Sequence, residues 1–124
     1  LVPGRYCRLF QSRRPHRVSG IWEVPASVLP LVRFPLFWAS FHILPLPLYL
    51  AACRLALAAD GLLTLYFHPW ELAELEEPQF PRWLRRRSRP QRIARMERLV
   101  RWLGEVGSFR TILNYLAGMR VTRP

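Results

Sequence analysis

LLTLYFHPWE, residues 62–71, is the segment on which the expected fold rests. Its first six residues form an apolar run after Gly61, a pattern typical of a strand buried on both faces of a parallel sheet. The run continues directly into His68-Pro69-Trp70-Glu71. Barrel enzymes carry their catalytic residues at the carboxyl ends of such strands. The segment therefore predicts a buried parallel strand over 62–67, with His68 at its functional end.

The apolar segment before this strand, residues 36–59, predicts a buried helix. It is 24 residues long, nominally enough to cross a bilayer. Two prolines that interrupt the segment and two polar side chains that would be costly in lipid argue against a membrane span: Pro45, Pro47, His42 and Arg54. We expect a buried helix from about 46 to 58, ending at Asp60-Gly61, and no transmembrane segment. A membrane-associated protein is the less favoured alternative.

Further elements are predicted on both sides of this region. Ile21–Val24, ended by Pro25, predicts a strand at about 20–24, and the prolines that follow up to residue 35 predict an extended connection. Ser88–Gln91 has the pattern of a capping box with proline in the first turn. Apolar residues then recur on one face of a helix: Ile93, Met96, Leu99, Val100 and Leu103.

The order of these elements predicts the fold class. Gly104 and Gly107 are expected to end the amphipathic helix. Phe109–Leu113 predicts a short strand, and Asn114 is expected to cap a last helical turn. Strands that alternate with helices indicate an α/β fold with a parallel sheet. At 124 residues the chain is expected to form a single domain over 1–124.

The charge of the chain is concentrated in its second half. The net charge is +11, and all 19 basic residues are arginine. Residues 78–104 form an Arg-rich loop and amphipathic helix. Such a segment is usually a solvated helix face, but it also suits phosphate, anionic glycan or a membrane surface. Cys7 and Cys53 are too far apart in sequence to predict a zinc site or a disulfide framework.

Four motifs in this order resemble the C-terminal part of bacterial polysaccharide deacetylases of the carbohydrate esterase family 4 type. They are Pro3–Tyr6, Gly20–Ser27, Arg33–Trp38 and Tyr66–Glu71. The most specific part is YFHPWEL, followed by a helix and a Phe-Arg-Thr sequence near the end. The resemblance runs from about residue 3 to residue 116, nearly the whole chain.

The resemblance implies the C-terminal portion of a distorted (β/α) barrel that removes N-acetyl groups from amino sugars in glycans. Family members bind a divalent metal, with zinc expected, through an Asp and two His, and a second Asp acts as the base. Here Asp60 is the only Asp, and no Asp-Asp pair or His-x-x-x-His occurs. We therefore expect an incomplete, inactive fragment whose metal ligands lie in the N-terminal half of the same barrel.

The resemblance carries over one candidate site residue, His68, and the chemistry of the neighbouring residues suggests roles for Glu71 and Trp70. His68 is implied to be the general acid that protonates the departing amine, and a histidine that only caps the strand end is the alternative. Glu71 is expected either to orient His68 through the other ring nitrogen or to pair with an arginine. Trp70 is expected either to stack on a sugar or to serve as a large core residue. A metal-ligand role for His68 and Glu71 is the least favoured hypothesis, and no metal is assigned to this chain.

Other functions stay open on the sequence alone. The alternative to a hydrolase of carbon–nitrogen bonds is a non-catalytic Arg-rich module that binds nucleic acid or anionic glycan. It lacks the exposed aromatics of single-strand binders and any DNA-binding motif, so no specific nucleic acid is expected. The expected partner is a polysaccharide with N-acetylated amino sugars. His42, in the apolar segment, is expected to be a satisfied buried histidine. The resemblance implies a bacterial protein, and both the cytoplasm and the cell envelope stay open as its location.

Overall fold

Helices make up most of the described chain. The structure, a computed structural model, describes residues 12–75 and 80–121. A short antiparallel hairpin comes first, with strands β1 (His16–Val18) and β2 (Ile21–Glu23). The α-helices that follow are α1 (Trp38–Ile43), α2 (Leu46–Asp60), α3 (Arg82–Arg85), α4 (Arg89–Val106) and α5 (Ile112–Val121). One 3₁₀ turn, Pro69–Leu72, lies between α2 and α3.

The expectation of an α/β fold, with parallel strands from part of a (β/α) barrel, is wrong. Across residues 12–75 and 80–121 the one sheet is the two-stranded antiparallel hairpin. Residues 62–68 lie in no helix and in no sheet. Their backbone meets Ser27, which donates its N–H to the Thr64 carbonyl and accepts the Thr64 N–H on its hydroxyl, both at 2.9 Å.

Aromatic contacts explain why the apolar run needs no sheet. The Phe67 ring meets Phe41 edge-on at 5.2 Å, and Tyr66 lies 5.7 Å from Phe37. An apolar run requires burial, and a parallel sheet is only one way to provide it. Here side chains of α1 and of the residue before it supply part of that cover, and the side chains of residues 62–68 are half-buried or exposed, not enclosed on both faces.

The hairpin confirms the strand predicted at about 20–24. Ser19 and Gly20 have φ of 50° and 83°, and two consecutive left-handed residues make the tight turn whose twist suits a hairpin. The register pairs His16 with Glu23 and Val18 with Ile21. The partner strand β1 was not predicted, because the first 17 residues are rich in turn-forming and basic residues.

Helix α2 confirms the predicted helix and its end. Pro47 lies in its first turn, where a missing N–H costs nothing, and Gly61 ends it in the left-handed conformation with φ of 69°. Leu48 and Leu55 on one face of the helix are exposed. The buried residues of the helix are Leu46, Tyr49, Ala52, Cys53, Ala56 and Asp60. In the described ranges, no helix is both long and apolar enough to span a membrane.

The described residues form two compact units that meet in sequence at Arg92–Ile93, within α4. The second unit confirms the amphipathic helix, since Leu99 is fully buried and its neighbours on the stripe are mostly half-buried. The strand predicted over Phe109–Leu113 is wrong. Thr111 accepts the Asn114 N–H on its hydroxyl at 3.2 Å, so it caps the start of α5. Helix capping outweighs the β propensity of this short segment.

Candidate functional site

Glu71 lies at the centre of the densest polar network in the described chain. It belongs to the 3₁₀ turn Pro69–Leu72 and its side chain is completely buried. Oε1 accepts the His68 backbone N–H at 2.5 Å and lies 3.0 Å from His68 Nδ1. Oε2 lies 3.0 Å from His42 Nε2. Since a carboxylate only accepts hydrogen bonds, each facing ring nitrogen donates to it.

His68 is hydrogen-bonded through Nδ1, and its side chain is partly exposed. The turn places it three residues before Glu71, where the backbone N–H and Nδ1 both reach the same carboxylate oxygen. Its side chain is 40% exposed, and its Nε2 has no hydrogen-bond partner among the described residues. When Nδ1 donates to a carboxylate, Nε2 is the atom that gains or loses the exchangeable proton. With Nδ1 engaged by Glu71, Nε2 is the ring nitrogen left to exchange a proton.

His42 reaches the same carboxylate from α1. Its side chain is 1% exposed, and the Phe41 ring packs against it edge-on at 5.0 Å. Helix α1 brings it to Glu71 from 29 residues away in sequence. The expectation of a buried, hydrogen-bonded histidine is confirmed, but its partner was not foreseen.

Arg92 braces the backbone around the turn. Only 2% of the residue is exposed, yet its guanidinium donates to three carbonyls. Nε donates to Glu71 O at 2.7 Å, Nη2 to Ala73 O and Nη1 to Arg87 O. Burial lowers the pKa of Arg92, and the charge of Glu74 partly opposes this. Arg92 therefore carries a buried charge satisfied by main-chain oxygens.

Arg87 links this clamp to α1. Its Nη1 donates to the His42 carbonyl at 2.6 Å, and its own carbonyl accepts from Arg92. Burial, together with the neighbouring charge of Arg86, lowers the pKa of Arg87. Two arginines thus connect the backbone of His42 with the backbone of Glu71, in parallel with the side-chain bond between those two residues.

Aromatic rings surround His68. The Trp70 indole is stacked with the imidazole at 5.3 Å, and Trp38 and Tyr66 meet it edge-on at 5.6 and 5.7 Å. Phe80 also stacks with Trp70, at 5.7 Å, and Trp83 stacks with Trp38, at 5.7 Å. Trp70 keeps 37% of its surface exposed. The ring of the candidate acid therefore has an aromatic surround with part of one indole open.

The structure brings all three predicted site residues together. His68 and Glu71 share a hydrogen bond, and Trp70 stacks on His68. Of the two partners expected for Glu71, histidine takes the carboxylate, while an arginine takes only the carbonyl. The roles of these residues stay predictions. Sequence reasoning missed Arg92, which the apolar stripe placed on the polar side of the helix, and it gave His42 no partner.

No metal centre is formed by the residues that the structure describes. Within residues 12–75 and 80–121, no group of three or more His, Cys, Asp or Glu side chains could hold a metal ion. Glu71 and His68 Nδ1 are also occupied by one another. The donor set therefore does not fit the metal that the resembled family uses, and what the network can do by itself is transfer a proton at His68 Nε2.

Comparison of the chain with protein-family models, curated proteins and solved structures gave no match. The resemblance to polysaccharide deacetylases therefore rests on the quoted motifs alone.

Proposed function

We propose that this chain supplies the general-acid histidine of a hydrolase that removes N-acetyl groups from amino sugars in polysaccharides. The observation that carries the proposal is the state of His68. Its Nδ1 is fixed 3.0 Å from a fully buried carboxylate, and its side chain is 40% exposed. Glu71 caps the turn by accepting the His68 backbone N–H, and its contact with Nδ1 is additional to that cap.

Amide hydrolysis explains why such a histidine is useful. The carbon–nitrogen bond breaks only if the nitrogen collects a proton, because an amide anion is too basic to leave. An imidazolium can deliver that proton from Nε2 near neutral pH. Glu71 holds the ring in one orientation and stabilises the imidazolium before the transfer. The amine then departs neutral, and His68 is left as the Nδ1–H imidazole.

The surroundings of His68 support a sugar as substrate. Trp70 stacks on the imidazole and on Phe80, and it keeps 37% of its surface exposed. An aromatic face suits the apolar C–H face of a pyranose, and aromatic side chains dominate binding surfaces because they offer large area at little entropic cost. In this proposal Trp70 positions the sugar ring whose nitrogen receives the proton from His68.

The proposal assigns no metal to these residues. The resembled family activates water on a divalent metal with zinc expected, and here the proposal requires ligands and a base from outside the chain. The residues present then account for one half of the reaction, the protonation of the leaving group.

The competing Arg-rich binding module is less well supported. Five of its arginines, Arg85, Arg86, Arg87, Arg89 and Arg92, donate to backbone carbonyls of the same unit. Guanidinium groups engaged in this way hold the chain together, and they are less available for phosphate. Binding of polyanions is expected to be weak, independent of sequence and steeply reduced by salt.

The test is to assay the complete gene product that contains this chain for acetate release from an N-acetylated chitooligosaccharide. His68→Ala is expected to lower kcat by about 10²–10⁴, the usual effect of a positioned general acid, and to leave metal content unchanged. His68→Gln is not expected to restore activity, since an amide cannot release a proton at neutral pH. The matched control is His16→Ala, because His16 lies 3.8 Å from Glu23 in the hairpin, away from this network.

Three outcomes would overturn the proposal. Loss of metal in His68→Ala would make His68 a ligand. A change in melting temperature with unchanged kcat would make it structural. The third concerns the 124-residue chain alone, which is expected to be inactive with any divalent metal. Turnover by that chain, abolished by a chelator, would show that it holds a complete site.

A further inference from the structure

One carboxylate serves two imidazoles in this site. Glu71 Oε1 faces His68 and Oε2 faces His42, each at 3.0 Å. The two histidines differ in exposure, since His68 is 40% and His42 1% exposed. Only His68 can therefore exchange a proton with a bound molecule. His42 has its polar contact entirely inside the protein.

We propose that His42 is a positioning residue, which fixes Glu71 so that Oε1 faces Nδ1 of His68 and Nε2 of His68 is the atom left for chemistry. This rests on the proposed function insofar as His68 acts on substrate. The expected arrangement is specific. His42 is the Nε2–H tautomer and His68 is the Nδ1–H tautomer, because each nitrogen that faces the carboxylate must donate.

The geometry excludes the arginines from this role. A guanidinium beside the carboxylate would satisfy both oxygens at once in a bidentate pair. Arg92 instead gives its Nε to the Glu71 carbonyl and its other nitrogens to further carbonyls. Oε2 is then left to His42. Without His42, Oε2 would be a buried acceptor with no partner, an unfavourable state that a rotation of the carboxylate would relieve.

The first experiment needs no substitution. Nitrogen-15 NMR of the imidazoles in the 124-residue chain, recorded where each ring is neutral, distinguishes the two tautomers directly. The proposal expects His68 as Nδ1–H and His42 as Nε2–H. His68 as Nε2–H, or a mixture of tautomers at His68 in the folded chain, would overturn it.

Two variants of His42 distinguish the effect of its N–H donor from the effect of its side-chain volume. In His42→Gln the side-chain amide reaches the region of the imidazole Nε2 and can donate to Oε2, whereas His42→Leu fills the space without a donor. His68 is expected to stay Nδ1–H in His42→Gln and to lose its tautomer preference in His42→Leu. Equal spectra for His68 in the two variants would contradict a role for the His42 donor.

Kinetics of the complete gene product distinguish this inference from the function on which it rests. His42→Leu is expected to lower kcat about 10- to 100-fold with little change in KM, the usual effect of losing a residue that orients a ligand or acid. His42→Gln should recover most of that loss. If the tautomers behave as expected but neither His42→Leu nor His68→Ala affects kcat, the positioning holds and the proposed function fails. If His68→Ala lowers kcat but substitution of His42 does not change the tautomer of His68, the proposed function holds and the positioning role of His42 fails.

Discussion

Two carboxylates are buried in the part of the chain that the structure describes, and their partners differ. Asp60, at the end of α2, is 8% exposed and accepts from Arg13 at 2.8 Å, with Arg14 at 4.0 Å. Glu71 is completely buried and receives two imidazoles and a backbone N–H. Asp60 is thus paired with arginine side chains, while Glu71 is bonded to imidazole nitrogens and a backbone N–H.

The difference lies in which groups reach each carboxylate. An arginine stays charged in proteins, so Asp60 paired with Arg13 can do little more than join a hairpin-side segment to α2. Arg92 lies against the same turn as Glu71 but binds the carbonyl, not the carboxylate. The guanidinium therefore holds the turn in place without competing with the histidines.

Removing each carboxylate in turn gives the largest expected contrast. Glu71→Ala leaves the buried N–H of His42 and the part-buried N–H groups of His68 without this partner, so we expect a loss of about 3 kcal/mol in the free energy of unfolding. Asp60→Ala breaks an ion pair whose Arg13 side chain is 27% exposed, and about 1 kcal/mol is expected. Urea denaturation of the two variants measures both values. A larger loss in Asp60→Ala would show that the buried network is not the stronger of the two.

The next contrast concerns the two arginines nearest the turn. Arg92→Met leaves the carbonyls of Glu71, Ala73 and Arg87 short of a donor inside the protein, and about 3 kcal/mol is expected. Arg89 is exposed and donates to one carbonyl, Leu72 O, at 3.2 Å. Arg89→Met is therefore expected to cost less than about 1 kcal/mol. Similar unfolding midpoints for the two variants would mean that Arg92 does not brace the turn.

The last prediction concerns the buried thiol of Cys53 in α2, which lowers the free energy of unfolding only at alkaline pH. Burial raises the pKa of the Cys53 thiol from 9.0 to about 12, while a hydrogen bond with Tyr49 acts in the opposite direction. Above pH 9 the unfolded chain loses this proton and the folded chain keeps it. Stability is therefore complete below pH 9 and falls as the pH rises towards 12, by about 1 kcal/mol at pH 10.

Cys53→Ala should remove this alkaline dependence, which unfolding curves at pH 8 and pH 10 would show. A second measurement uses a Cys7→Ser background, where a thiol reagent should label Cys53 only as fast as the protein unfolds. Rapid labelling of the folded chain would contradict the burial of the thiol. Such labelling would leave the account of Glu71 untouched, because Cys53 has no part in that network.

The elements that local sequence determines were predicted well. Helix α2 has Pro47 in its first turn and Gly61 at its end, and α4 has an apolar stripe after a capping sequence, so both follow from nearby residues. The failure was the apolar run 62–67. Six apolar residues indicate burial, but they do not say whether strands or helices provide it. The α/β fold class was inferred from that step, so it failed with it.

The candidate site shows the same division. His68 and Glu71 are three residues apart, and the turn that joins them can be recognised in HPWE. His42 and Arg92 lie 29 and 21 residues from Glu71. No local period connects such positions, and a histidine in an apolar segment or an arginine in a basic helix has many uses. The one available signal was Glu71 itself, because a buried carboxylate needs more than one hydrogen-bond donor. That requirement does not say which distant residues provide the donors.

The central claim is that His68 Nε2 protonates a leaving amine, and a comparison of leaving groups tests it most directly. Wild type and His68→Ala of the complete gene product are assayed on an N-acetylated chitooligosaccharide and on p-nitrophenyl acetate, whose phenolate leaves without a proton. The account predicts a loss of about 10²–10⁴ in kcat on the sugar and of less than about tenfold on the ester. An equal loss on both substrates would contradict it, because a general acid matters only where the leaving group needs a proton.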